Sequence, residues 1–213
     1  MLSVSNLTYK RHNSTVLSDI NFTLSRGTLL FIRGSNGAGK STLLRCIAGL
    51  LEIDTGDICC YGVKSKYLCP RWQGYFVYMG HRNGHKNHLT CLENLQFYVS
   101  LYGYSKIDVN LYTVLEEVGL KDYAHVLVGR CSEGQKKRLA LARLYMTRQQ
   151  PVVWLLDEPT SSLDKHMTES LCNIVTGFCK QGGIVLMAEH QTIDVQDVNI
   201  QEVTVPNMVG IAF

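Results

Sequence analysis

Gly34-Ser35-Asn36-Gly37-Ala38-Gly39-Lys40-Ser41-Thr42 is the stretch on which the reading of this chain turns. Its G-x-x-x-x-G-K-S spacing is the P-loop pattern. Leu29-Leu30-Phe31-Ile32 before it suits a buried strand, and Leu43-Leu44, Cys46-Ile47-Ala48 and Leu50-Leu51 after it recur at roughly helical spacing. Strand, glycine-rich turn and helix are the context the motif needs. Glycines let backbone N–H groups turn inward around an anion, and the new helix adds the positive end of its dipole. The whole loop, Gly34 to Thr42, is expected to cradle nucleotide phosphates. Lys40 would bridge the outer phosphates, and Ser41 would offer its hydroxyl to Mg²⁺.

The 213 residues suffice for one sizeable core, read as a single domain over 1–213. Charged residues make up 18% and hydrophobic ones 46%, the balance of a folded chain and not a disordered one. A net charge of +3 is too mild to argue for a nucleic-acid partner, and none is expected. Eight cysteines, at 46, 59, 60, 69, 91, 131, 172 and 179, sit mostly inside apolar runs without metal-ligand spacing. They read as reduced core thiols in a reducing compartment. No apolar run approaches the roughly 18 residues of a membrane span, and the N-terminus enters a strand-like pattern without a signal peptide. A role at a membrane would need a partner that supplies the spans.

Residues 2–9 and 16–24 alternate apolar and polar as half-buried strands do, with a turn at Asn13-Ser14 and another at Arg26-Gly27. Asp54-Thr55-Gly56-Asp57 reads as a break, followed by a short strand at 58–61 and a buried one at 75–79. Beyond polar Gly80–His88, Thr90-Cys91-Leu92-Glu93 forms a capping box with Leu89 as the staple residue. Its helix runs to Leu101-Tyr102, and a second spans 109–118. Cys131-Ser132-Glu133-Gly134-Gln135 opens a third. Its basic residues Lys136, Lys137, Arg138, Arg143 and Arg148 read either as a solvated face or as a bias toward phosphate. The stretch from about 85 to 150 is thus nearly all helical, which predicts a helical subdomain inserted in an α/β core with a β-rich N-terminal layer. An apolar strand at 152–156, a helix at 164–180 and a buried strand at 184–188 complete the core. Residues 191–213 are weakly patterned, with small strands expected at 203–205 and 209–213.

Asp157 ends the strand 152–156, where its carboxylate can reach a Mg²⁺ held by Ser41. Glu158 follows. Strand alternation would point it away, but the end of a strand can turn it toward the γ-phosphate side, there to orient and deprotonate a water. Two adjacent carboxylates in this place argue for hydrolysis rather than phosphoryl transfer.

The P-loop, Ser132-Glu133-Gly134-Gln135, Leu155-Leu156-Asp157-Glu158-Pro159, Ser162-Leu163-Asp164 and His190 follow one another in this order. Together they resemble the ATP-binding cassette (ABC) ATPases over essentially the whole chain. The resemblance implies an ATPase that works as a dimer of cassettes with two ATP molecules sandwiched between them. It implies that Ser132 and Gly134 complete the partner's site, that Asp164 lies on the loop linking the sites, and that His190 bonds the γ-phosphate and positions Glu158. Ser132 would cap a helix whose N–H groups face an anion, which agrees with that role.

Three features depart from the family pattern. The signature reads Cys-Ser-Glu-Gly-Gln, and Glu133 would cost near a phosphate unless it turned away or paired with a neighbour such as Lys137 at i+4. His81 stands where a glutamine is expected after the strand 75–79, and a histidine titrates near neutral pH. Either Arg11 or Tyr9 is placed to cover the adenine. Gly80-His81, Gly84-His85-Lys86 and Leu89-Thr90-Cys91-Leu92-Glu93-Asn94-Leu95-Gln96-Phe97-Tyr98 look like the cytochrome c maturation subfamily, CcmA, in which His81 is no anomaly. That resemblance implies the ATPase subunit of a haem-handling transporter, paired with a membrane subunit of the CcmB type. Its place would be the cytoplasmic face of a bacterial inner membrane or the matrix face of a mitochondrial one. The alternatives are an exporter of another small or lipophilic substrate, or a weakly hydrolysing regulatory cassette. His12, His81, His85 and His88 read as solvated or partner-contacting loop residues, and Phe97, Tyr98, Tyr102 and Tyr104 as core or a groove for a partner helix.

Overall fold

The computed structural model describes residues 1–12, 14–65, 67–80, 84–101, 109–148, 152–189 and 193–206. Two sheets lie at its centre. The parallel one contains β3 (Thr28–Arg33), β6 (Phe76–Met79), β7 (Val153–Asp157), β8 (Ile184–Ala188) and β9 (Asn199–Thr204), in the order β6-β7-β8-β3-β9. The antiparallel one contains β1 (Leu2–Arg11), β2 (Ser14–Leu24), β4 (Thr55–Cys60) and β5 (Val63–Lys64), in the order β2-β1-β4-β5.

β3, β6, β7 and β8 are near-continuous apolar runs because both faces of the sheet are buried there, whereas the edge strand β9 is polar and largely exposed. Parity along each strand assigns the faces. Leu29, Phe31, Val77, Met79, Trp154, Leu156, Val185 and Met187 join one core with the helices that follow β6 and β7. Leu30, Ile32, Phe76, Val153, Leu155, Ile184 and Leu186 join a second core beneath α1 (Lys40–Ile47) and the antiparallel sheet. Trp154 stacks on Phe178 of α6 (Lys165–Lys180), ring centroids 3.8 Å apart and 4° from parallel, and donates its indole N–H to Thr147 Oγ1 at 3.1 Å. A stacked pair with a satisfied N–H lets so large a side chain be buried completely.

Between β6 and β7 the described elements are helical: α3 (Cys91–Leu101), α4 (Leu111–Glu117), two single 3-10 turns and α5 (Glu133–Thr147). Their starts are written in side-chain caps. Thr90 and Glu93 bond reciprocally, Asn110 accepts from the N–H groups of Tyr112 and Thr113, and Ser132 and Gln135 form a full capping box. The cap at Asn110 starts α4 two residues later than the apolar pattern suggested. Two other expectations are corrected. Thr55-Gly56-Asp57 is strand, not a break. Gly56 sits at φ 95 in β4 beside the register shift of β1, where a Cβ would lie 2.5 Å from the carbonyl oxygens of Ser5 and Asn6. The glycine there serves close backbone approach. Pro70–Gln73 forms a short helix, α2, whose Trp72 donates to Ile47 O at 3.0 Å. The strand expected at 203–205 begins earlier, at Asn199, and the one expected at 209–213 lies outside the described residues, as does the turn residue Asn13.

Candidate nucleotide site

Because β3, β7 and β8 run parallel, the loops leaving their C-terminal ends emerge at one edge of the sheet, and the site is built there. After β3 the chain turns through Gly34 (φ 148), Gly37 (φ 81) and Gly39 (φ 108) before α1 begins at Lys40. A Cβ at Gly34 would stand 2.7 Å from Val205 O, and one at Gly39 3.0 Å from Leu17 Cδ2. Gly34 and Gly39 need glycine on both conformational and steric grounds, and Gly37 on conformational grounds alone. Lys40, 6% exposed, curls over the loop and donates to Gly34 O at 2.8 Å and Ser35 O at 3.0 Å. Ser35, Asn36 and Gly37 form the exposed crest, Ala38 is buried, and Thr42 is half-buried in α1.

Ser41 Oγ donates to Asp157 Oδ1 at 2.9 Å, joining the first turn of α1 to the end of β7. Asp157 is 2% exposed. A hydroxyl and a buried carboxylate side by side are hard oxygen donors of the kind Mg²⁺ takes, so Ser41 and Asp157 fit that ion and could hold it. Glu158 follows at φ 49, left-handed and unusual for a residue with a side chain. The strand alternation ends there, which is the turn a water-orienting role for Glu158 requires. Its backbone is tied on both sides: its N–H donates to Ala188 O at 2.8 Å, and its carbonyl accepts from Lys137 Nζ at 2.8 Å and Ser161 Oγ at 2.9 Å.

Ser132 and Gly134 sit at the N-terminus of α5. Ser132 Oγ accepts from Gln135 N at 3.2 Å, and a Cβ at Gly134 would lie 3.8 Å from Ser162 O. Asp164 caps α6 through Met167 N at 2.8 Å and pairs with Arg138 of α5. The Met167 N–H and then the Arg138 guanidinium hold its carboxyl below the usual range.

The sequence model of the ABC transporter family matches residues 17–161. The chain belongs to the ABC transporter family. Curated members of similar sequence are named cytochrome c biogenesis ATP-binding export protein CcmA. That of Aliivibrio fischeri is 37% identical over 203 residues, covering 95% of this chain and 98% of its own. That of a strain of Escherichia coli is 35% identical, covering 96% of each chain. Among solved structures, an ATP-binding subunit of an ABC transporter aligns with a TM-score of 0.81 at 26% identity, over 89% of this chain and 79% of its own. A dimeric ATP-binding cassette in a post-hydrolysis state with ADP and Pi aligns at 0.75 and 24% identity, over 90% and 88%, a likeness of fold.

Set against the ABC pattern, Glu133 pairs with Lys136 at 2.8 Å, one turn onward along α5, and not with Lys137. Lys137 is 4% exposed, with Nζ on Glu158 O and on Ser161 Oγ at 3.2 Å. Burial lowers its ammonium from the ordinary range, and the carboxylates of Glu189, Asp157 and Glu158 oppose that. Arg143, also buried, lies over the Tyr98 ring at 4.9 Å and donates to Ala140 O. So two of the four basic residues of α5 form neither a solvated face nor a phosphate lure. His85 is no solvated loop residue in this ABC cassette, because its Nε2 lies 2.7 Å from Lys136 O on α5. Tyr98 belongs to the core. His81, His190, Tyr102 and Tyr104 lie outside the described residues. Of the two adenine candidates, Tyr9 packs partly against the antiparallel-sheet core while Arg11 is exposed. Sequence reasoning missed Lys137, Thr160 and Glu189. The one available signal was a charge at position 189 closing an otherwise apolar strand.

Proposed function

We propose that this cassette binds ATP with Mg²⁺ and hydrolyses it as the ATPase subunit of an export complex in cytochrome c maturation. The observation that carries the reading is the 2.9 Å contact of Ser41 with Asp157, which brings the P-loop against the strand end where Glu158 turns outward. The loop amides from Gly34 to Thr42 and Lys40 hold the phosphates. Ser41 and Asp157 hold Mg²⁺, which when bound neutralises charge on the β- and γ-phosphates. Glu158 orients the attacking water and accepts its proton, and His190 supports it at the γ-phosphate. Ser132 and Gly134 face the ATP of a second copy, so two chains close on two nucleotides, and His81 takes the place of the family's glutamine in sensing the γ-phosphate.

The names of the relatives supply the transport role. Among the described residues no helix is long and apolar enough to cross a membrane, so a membrane subunit of the CcmB type supplies the path. The cassette spans 1–213, with its helical part at about 85–150. It attaches to the cytoplasmic face of a bacterial inner membrane or the matrix face of a mitochondrial one, and its cycle serves haem delivery to, or release of, a haem chaperone on the far side.

Glu158→Gln tests the chemistry. It is expected to bind ATP, stay in an ATP-bound dimer and lose nearly all hydrolysis. Normal turnover in that variant would remove Glu158 as the base. Co-purification with a CcmB-type subunit, and loss of cytochrome c assembly when the gene is deleted, test the transport role.

A further inference from the structure

Glu189 directly follows β8 and is buried, 5% exposed, where most carboxylates would be in water. Its Oε2 accepts from Thr160 Oγ1 at 2.6 Å and from Thr160 N at 3.3 Å. Its backbone carbonyl accepts from Arg33 Nη1 at 3.0 Å, and Arg33 is the last residue of β3 before the P-loop. Thr160 stands two residues beyond Glu158, in the turn that Lys137 holds from α5 through Glu158 O and Ser161 Oγ. Two buried side chains of opposite charge therefore grip the same short turn. One reaches it from the strand beside the P-loop, the other from the signature helix. Within that turn Glu158 keeps φ 49, a conformation that side-chain-bearing residues hold only when their surroundings over-determine it. Glu158, Thr160 and Glu189 also line one cleft, together with Lys165, Thr168 and Glu169 of α6.

We propose that Glu189 is a positioning residue for Glu158. By anchoring Thr160, it fixes the left-handed turn that aims the Glu158 carboxylate toward the nucleotide. This rests on Glu158 as the water-orienting base. Glu189 touches no reacting atom, so it acts on the rate of the chemical step and not on nucleotide binding, which belongs to the P-loop.

The test uses the cassette assembled with its membrane subunit. Steady-state hydrolysis is measured alongside equilibrium binding of ATP. Glu189→Ala is expected to lower kcat about tenfold while KM and ATP affinity stay within about twofold, since a loosened base costs rate and not binding. Glu189→Gln keeps a carbonyl acceptor for Thr160 and is expected to recover most of kcat. Thr160→Val removes the donor with little change of shape and should match Glu189→Ala. The double variant should fall no further, as expected of two residues in one contact. Thr160→Val carries the test if Glu189→Ala does not fold. Wild-type kcat in a folded Glu189→Ala or in Thr160→Val would overturn the proposal. So would affinity falling in step with kcat, or Glu189→Gln as slow as Glu189→Ala. Glu158→Gln in the same assay separates the two readings. If it is inactive while Glu189→Ala is normal, only the positioning role falls. If it turns over normally, the base falls and the positioning role with it.

Discussion

Ser41 and Asp157 stand 116 positions apart in the chain and share a 2.9 Å hydrogen bond. The P-loop alone offers phosphate amides. Asp157 alone is one buried carboxylate at a strand end. In the proposed function their contact makes one place for a divalent cation, so Ser41→Ala and Asp157→Asn should have the same signature. In Mg²⁺ each is expected to lose at least about tenfold in ATP affinity. In excess chelator each should bind ATP as the wild type does. Titrations with a fluorescent ATP analogue under both conditions check this. An equal loss in chelator would place the defect in the loop and not at the cation.

The glycines of the P-loop differ in what they cannot tolerate. At Gly37 a Cβ meets nothing within 4 Å, so Gly37→Ala pays only for a side chain at φ 81, roughly 1 kcal/mol. At Gly34 the same methyl would stand 2.7 Å from Val205 O, a backbone atom that can yield only by moving the chain after β9. Gly34→Ala should therefore be the more destabilising by about 1–3 kcal/mol in chemical denaturation. It should also weaken ATP binding more.

Ser132 has a local task and a proposed distant one, and two substitutions separate them. Ser132→Ala removes the cap on Gln135 N and should cost about 1 kcal/mol of stability. Ser132→Asp is as good a cap, so the melting temperature should stay near wild type. It also adds a negative charge where the partner's γ-phosphate is proposed to sit, so ATP-driven dimerisation, read by light scattering, should be lost. A stable Ser132→Asp variant that dimerises normally would detach Ser132 from the interface.

His85 is expected to give the fold a pH dependence. Burial is the main cause pushing its imidazole down to about 4. The Lys136 carbonyl and the Glu133 carboxylate oppose this, while the Arg143 and Lys136 charges add to it. The Tyr98 ring packs edge-on at 6.5 Å. Above pH 6.5 both folded and unfolded chains carry it neutral, and its contribution to stability is complete. Between 6.5 and 4 the unfolded chain takes up the proton first, so stability falls by roughly 1.4 kcal/mol per pH unit and levels off below. His85→Asn should remove that slope in urea titrations across this range. An unchanged slope would mean that another group carries it.

The apolar runs of β3, β6, β7 and β8 were legible because a strand covered on both faces leaves a continuous signal, and the caps at Thr90 and Ser132 are local in sequence. The P-loop and Asp157 were legible because their chemistry needs particular side chains at particular ends. Lys137 and Arg143 were not. A buried lysine reads in sequence as one more charge on a basic helix. Only the turn after Glu158, folded against α5, supplies the carbonyl and hydroxyl that let its ammonium leave water. Glu189 was hidden for the same reason, since Thr160 reaches it from 29 positions away. His85 misled because its loop is polar while its partner is a helix carbonyl 51 positions on.

The strand order β6-β7-β8-β3-β9 places β8 between the strand that ends at the P-loop and the strand that ends at Asp157. On an emerging polypeptide both ligand-bearing loops are therefore made long before they can meet. Until Ile184–Ala188 leaves the ribosome and is inserted, β3 has neither of its strand partners and β7 only β6, with nothing to set their spacing. Nucleotide competence in this chain is thus a late event of synthesis. A nascent chain halted before residue 184 would contain the whole P-loop yet lack the strand that sets it beside Asp157.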